Sequence, residues 1–217
     1  TNPFQFYRGS DVLYAQPAQY NDVCYRAEHP IEKGRAQMVD GKLVEEPKDF
    51  SGSNYMSVRV LHDMLKAVVF PHSVPPAMRF ALSDADRRFV LHAMSMLPRE
   101  CAHPQYDRAK YYDSYVKFFM FGDRREPMPD HIRLFNKVGL AYGYLIDNAY
   151  IVDFENGVEF LLTAVVAAND NGIYNDGQYE YDAVSFPFLA NLGRVLYERE
   201  RLRAREVTPD LRAFMMH

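Results

Sequence analysis

The stretch IRLFNKVGLAYGYLIDNAYIVDFENGVEFLLTAVVAA, Ile132–Ala168, decides the fold. After Pro129 the side chains alternate. Ile132, Leu134 and Asn136 fall on one side and Arg133, Phe135 and Lys137 on the other, until Gly139 interrupts. A period of two marks an extended strand. A second strand is expected over Ala149–Phe154 and a third over Val158–Ala168, joined across Glu155-Asn156-Gly157. Asn-Gly is a strong hairpin signal because both residues accept positive φ. The centre of this half is therefore a three-stranded antiparallel meander.

Helical signals flank it. Ser185 is placed to N-cap a closing helix with Pro187 in its first turn. Phe188, Leu192, Val195, Leu196 and Arg199 then repeat at helical spacing, before a charged run from Glu198 to Glu206. Upstream, Ser57 is placed to cap a helix with Val58, Leu61, Leu65, Val68 and Val69 on one face, ended by Pro71. Ser83-Asp84-Ala85-Asp86 approximates a capping box, with Asp in place of Glu. The inner face of that second helix is expected at Phe89, Val90, Ala93, Met94 and Leu97, with Pro98 as its stop. Tyr111–Phe121 reads as a third, aromatic-rich helix closed by Gly122.

The first fifty residues have no period. Prolines at 3, 17, 30 and 47 break them up, while Phe4, Phe6, Tyr7, Tyr14, Tyr20 and Tyr25 need a surface to pack on. They read as an ordered, extended region, with one small hairpin at Asp40-Gly41 between Met38-Val39 and Leu43-Val44. Helices, then strands, then a closing helix make an α+β chain with antiparallel pairing. Its parts are an irregular region (1–56), a helical segment (57–130) and a sheet with a C-terminal helix (131–217), with 57–217 as one structural unit.

Composition excludes several classes. The chain has 217 residues, 48% apolar, with 29 acidic against 25 basic side chains and a net charge of −4. A nucleic-acid binder would carry a basic face, and this chain has no basic block, so no nucleic-acid partner is expected. No apolar run approaches the roughly 18 residues that span a bilayer. Thr1-Asn2-Pro3-Phe4-Gln5 has neither a starting Met nor a leader pattern, and reads as the interior of a longer chain. Cys24 and Cys101 are readable equally as one bridge or as two free thiols.

Most chemical motifs are missing. Seven histidines are scattered without His-Glu-x-x-His spacing, and there is no Cys-x-x-Cys. No metal and no cofactor is expected. His62 and His92 read as surface or satisfied histidines. Asn169–Glu180 has the outline of a calcium loop, but Ile173 and Tyr174 occupy the positions that need a ligand and a glycine. Two consecutive turns explain it better. No Gly-rich loop joins a strand to a helix.

One segment is more specific. Asn136-Lys137-Val138-Gly139 is followed by Ala141-Tyr142-Gly143-Tyr144-Leu145-Ile146-Asp147-Asn148-Ala149-Tyr150-Ile151. A lysine on a strand, a glycine two residues on and an immediate hairpin partner resemble the third signature of the penicillin-recognising serine hydrolases, usually Lys-Thr-Gly or Lys-Ser-Gly. The order of the following strands and closing helix is also similar. So are Ser57-Val58-Arg59-Val60-Leu61-His62-Asp63-Met64-Leu65 and Leu82-Ser83-Asp84 among the preceding helices. From about Phe50 onward the chain resembles the C-terminal part of a class A β-lactamase-like serine hydrolase of the kind associated with Bacteroidetes cell envelopes.

That resemblance implies a β-lactamase- or transpeptidase-like fold lacking its N-terminal part, and a periplasmic or envelope location. It implies acyl transfer on a β-lactam or a D-Ala-D-Ala-type peptide. Lys137 would be the catalytic cation beside the substrate carboxylate, and Val138, Gly139, Leu140 and Ala141 would bind substrate. Gly139 would admit it to the strand edge, and an amide of Leu140 or Ala141 would hold the oxyanion. Val138 departs from the pattern, offering no hydroxyl where Thr or Ser stands. The nucleophile motif Ser-x-x-Lys has a single match, Ser114-Tyr115-Val116-Lys117, too close to Lys137 to hold the family's intervening helical domain. It reads as a solvated helical Ser and Lys, so no turnover by this chain alone is expected. Without the upstream half, one sheet edge and the face under Ile151, Phe160 and Leu162 would be exposed, to be covered by that half or by a second copy. The rival readings are a non-catalytic module binding an envelope peptide or protein, and an unrelated α+β domain in which Lys-Val-Gly is chance.

Overall fold

The computed structural model describes residues 2–20 and 27–216; Cys24, Tyr25, Thr1 and His217 lie outside them. The protein is a mixed α+β chain built on a three-stranded antiparallel meander. Ten strands and three α-helices are described. They are β1 Phe4–Arg8, β2 Asp11–Gln16, β3 Glu32–Lys33, β4 Ala36–Val39, β5 Lys42–Val44, β6 Lys48–Asp49, α1 Val58–Val69, α2 Asp84–Ser95, β7 Ile132–Ala141, β8 Tyr144–Asp153, β9 Val158–Ala167, β10 Ile173–Tyr174 and α3 Phe186–Leu202.

The meander is longer than alternation alone suggests. β7 runs through Gly139 to Ala141, and β8 starts at Tyr144 rather than Ala149. The reason is a two-residue turn, Tyr142-Gly143, with φ of 56° and 82°. Such a turn matches strand twist and extends the pairing to its limit. Between β8 and β9 only Gly157 has positive φ (60°). Asp153 shapes that turn instead, its Oδ1 accepting the N–H of Glu155 and Asn156 at 2.9 Å each. Tyr197 of α3 donates to Asp153 Oδ2 at 2.6 Å and ties the turn to the closing helix.

Each face of the meander buries its own core. Leu134, Leu145, Ala149 and Ile151 face α3 and the segment 118–121, with Phe119 and Leu189 in the same cluster. Phe135, Tyr150 and Val152 face α1 and α2, where Leu65, Val69, Leu91 and Phe214 meet them. Both helix starts follow from their caps. Ser57 Oγ accepts from Val60 N at 3.2 Å, and Ser83 with Asp86 completes a capping box. Such caps are worth about 1 kcal/mol each.

Several sequence expectations are corrected. Tyr111–Phe121 is no α-helix: one 3₁₀ turn, Asp113–Val116, gives way to irregular chain. The N–H groups of Phe118 and Phe119 donate to Asp147 Oδ2 at 2.9 and 3.1 Å, so they cannot continue a helical ladder. The buried face of α2 is Leu91 and Ser95, while Phe89 is exposed and meets Phe6 of the β1–β2 hairpin. In α3 the buried residues are Leu189, Ala190 and Gly193, with Phe188 and Val195 outside. Gly193 sets that rotation, because a Cβ there would lie 2.5 Å from Met120 N. Ser185 caps nothing: it is itself helical (φ −71°, ψ −48°), at the end of a wide turn over Tyr181–Ser185. Residues 1–56 contain more structure than expected, an exposed β1–β2 hairpin and the short ribbons β3–β6 and β4–β5. The Asp40-Gly41 hairpin is present, with φ of 49° and 75°. The face holding Ile151, Phe160 and Leu162 is covered by α3, so it is not bare. At 169–180 the polar side chains serve turns: Asn171 Nδ2 donates to Asp176 Oδ2 at 2.7 Å. β10 then pairs in parallel with β4, and Arg35 Nε donates to Asn171 O at 2.9 Å.

No helix among the described residues is long and apolar enough to cross a membrane.

Candidate functional site

β7 is an outer strand of the meander, and its two halves are treated differently. The closing pair Ala141↔Tyr144 flanks a two-residue turn, so both residues bond across the ladder. Alternation then directs Ala141, Gly139, Lys137 and Phe135 toward β8. The N–H and C=O groups of Leu134, Asn136, Val138 and Leu140 point away from the sheet.

The first half of this edge is sealed. Lys117 Nζ donates to Leu134 O at 3.0 Å, to Met94 O at 2.6 Å and to Asn136 Oδ1 at 2.7 Å. Three acceptors use all three protons of an ammonium. Asn136 Nδ2 bridges onward to Asp147 Oδ1 at 2.8 Å and to Val116 O at 2.8 Å. Asp147 is wholly buried and accepts three hydrogen bonds, which suit a carboxylate. Burial opposes both charges. It brings the Lys117 amine down to about 7 and pushes the Asp147 carboxyl up to about 6. The Ser-x-x-Lys match therefore sits inside the protein, not in solvent. Ser114 and Lys117 are each 2% exposed, and Ser114 Oγ is spent on Arg124 O at 2.6 Å.

The second half is open. Lys137 is exposed and folds back to donate from Nζ to its neighbour's carbonyl, Val138 O, at 2.7 Å. Val138 turns its side chain to the opposite face, against the α3-side core. Only its backbone reaches the edge beside Lys137. A hydroxyl on that side chain would not face Lys137, so the lost Thr or Ser matters less than the sequence suggests. Gly139 shares the Lys137 face, where the nearest atom to a Cβ would be Ile146 Cδ1 at 3.6 Å. Leu140 is 52% exposed, and its N–H points outward with that of Val138. Ala141 is exposed too, but its N–H is directed into the ladder. Of the five residues expected at the site, the structure thus brings Lys137 together with the edge amides of Val138 and Leu140. Gly139 leaves the space beside them free, and Ala141 only closes the turn.

Sequence reasoning missed the polar row that Lys137 belongs to. Across the sheet Lys137 pairs with Asn148, and Asn148 with Thr163. Thr163 Oγ1 donates to Asn148 Oδ1 at 2.7 Å, His62 Nδ1 lies 2.9 Å from Thr163 Oγ1, and Asn148 Nδ2 donates to Leu61 O at 2.8 Å. His62 is thus a satisfied histidine, as expected, and the chain fixes α1 on the sheet. The available signal was Asp147-Asn148, two polar residues inside an otherwise apolar strand. His62 has the residue type of a general base, but its hydroxyl neighbour already donates to Asn148. Cys101 is a free thiol, half-buried.

Comparison with family models, with curated proteins and with solved structures finds no match to this chain. The site's chemistry is therefore argued from its own groups. A cation beside two outward backbone donors on an open strand edge suits an extended ligand ending in a carboxylate. Among the described residues, neither the Lys117–Asn136–Asp147 cluster nor the His62–Thr163–Asn148 row offers an accessible nucleophile.

Proposed function

We propose that this chain is the C-terminal part of a β-lactamase-like serine hydrolase, working in the periplasm or cell envelope. It supplies the Lys-x-Gly strand edge of an acyl-transfer site for a β-lactam or a D-Ala-D-Ala-type peptide. The observation that supports this reading is Lys137 beside the outward N–H groups of Val138 and Leu140. In it, Lys137 releases Val138 O and pairs with the ligand carboxylate while the peptide lies along the edge as an added strand. The attacking serine and its base come from outside these residues, since Ser114 and Lys117 are committed to the interior. Of Leu140 and Ala141, only the Leu140 N–H points outward, and it receives the developing oxyanion.

A D-Ala-D-Ala-terminated peptide titrated into the labelled chain should shift the amides of Val138, Gly139 and Leu140. Lys137→Ala should weaken that binding about tenfold. Nitrocefin should not be turned over by this chain. A peptide that shifts nothing on this edge, or binds Lys137→Ala unchanged, overturns the reading.

The second reading is a non-catalytic module that binds an envelope peptide on the same edge. The burial of Ser114 and Lys117, the one Ser-x-x-Lys match, away from this edge favours it. Acylation of a longer product of the same gene by a fluorescent penicillin separates the two.

A further inference from the structure

A second site lies on the same sheet face, one row beyond Lys137. Ile146 and Val165 form the floor of a cavity of about 420 Å³ between the meander, the start of α1 and the β3–β6 ribbon. Its other walls include Phe50, Tyr55, Met56 and Leu61, and its polar lining is Lys33, Ser53 and Asn54. No acidic side chain among the described residues lines it.

The ribbon places a pair of lysines here, of which Lys33 lines the cavity. Lys33 and Lys48 are direct cross-strand partners, so their side chains share a face. Like charges placed opposite one another destabilise a ribbon. Neither lysine has a carboxylate within ion-pair distance among the described residues. Lys48 Nζ lies 5.4 Å from the Phe50 ring and 5.5 Å from the Tyr142 ring, which holds its charge beside the cavity wall. An apolar pocket of this size, with Lys33 in its lining, Lys48 beside its Phe50 wall and no carboxylate pairing either among the described residues, matches a ligand with the opposite charge and an apolar body.

We infer that this cavity binds a single-headed amphiphilic anion, an aliphatic or aromatic carboxylate whose head sits between Lys33 and Lys48 and whose body fills the space over Ile146 and Val165. The anion removes the lysine–lysine repulsion and the body displaces water from apolar walls. The inference stands independently of the hydrolase reading, since it uses no part of the β7 edge.

Calorimetric titration with submicellar decanoate and with decyltrimethylammonium tests it. Decanoate should bind at one site, and the cation of equal chain length at least about tenfold more weakly. The double variant Lys33→Gln/Lys48→Gln should lose about tenfold in decanoate affinity, and Val165→Trp, which fills the chamber, should abolish binding. Absence of decanoate binding, equal binding of both amphiphiles, or decanoate affinity unchanged in both variants overturns the inference. Far-UV circular dichroism and a melting curve verify that each variant is folded.

Discussion

Two lysines each donate to an outward carbonyl of β7, and they differ in almost everything else. Lys117 reaches Leu134 O from outside the sheet and is entombed with Asn136 and Asp147. Lys137 reaches Val138 O from the strand itself and stays in solvent. The first closes the edge for good, because removing it strands buried acceptors. The second occupies a carbonyl that it can leave at little cost, since water replaces the bond. One strand edge therefore has a structural half and an available half. An open edge invites unwanted pairing. Keeping it this short limits that liability to the stretch from Val138 to Ala141.

The contrast can be broken at its strongest point by Lys117→Met. That change leaves three acceptors unpaired and Asp147 without a cation nearby, and should cost about 3–5 kcal/mol in urea unfolding. Lys137→Met should cost no more than about 0.5 kcal/mol. Equal losses would erase the distinction.

A pH series sharpens it. Asp147 is held above its ordinary value, so its protonated form favours the fold. That contribution is complete below the unfolded carboxyl's value and is lost as pH climbs through about 6. Lys117 is held below its ordinary value, so its contribution is complete at high pH and is lost as pH falls through about 7. Asp147→Asn removes the acidic arm. The stability of the natural chain relative to this variant should fall by up to about 3 kcal/mol between about pH 4 and about pH 7. A flat difference would refute the charge assignment.

Proline tests which groups face outward. Gly139→Pro deletes a ladder bond and should cost about 1–3 kcal/mol, whereas Leu140→Pro removes an N–H that points to solvent and should cost under about 1 kcal/mol. The reverse order would mean that the edge register is misassigned. His62→Ala should cost about 1 kcal/mol in the same unfolding measurement, from the loss of its contact with Thr163.

What was legible in the sequence was local. Ser57, Ser83 with Asp86, and the strand alternation around Gly157 each announce an element within a few residues, and those elements are present. The faces of α2 and α3 were not legible, because close packing chose them: Gly193 against Met120 rotates α3 away from its largest side chains. The fate of Tyr111–Phe121 depended on a carboxylate 28 residues beyond Phe119. Lys137 and Gly139 were legible as strand residues and lie on β7, while Lys117 was noticed only as a solvated Ser-x-x-Lys match, because local spacing gives no hint of its burial. The Lys33–Lys48 pair escaped notice because strands of two residues are too short to show a pattern.

The parallel pairing of β10 with β4 has a consequence for the order of assembly. The meander forms from neighbouring hairpins, but this clasp joins positions such as Arg35 and Asn171, 136 residues apart. Contacts that distant form after local ones, because their loop must close first. The segment from Lys33 to Phe50, which contains β4, is thus fastened last, and in stopped-flow refolding the capacity to bind decanoate should emerge after the sheet signal is complete.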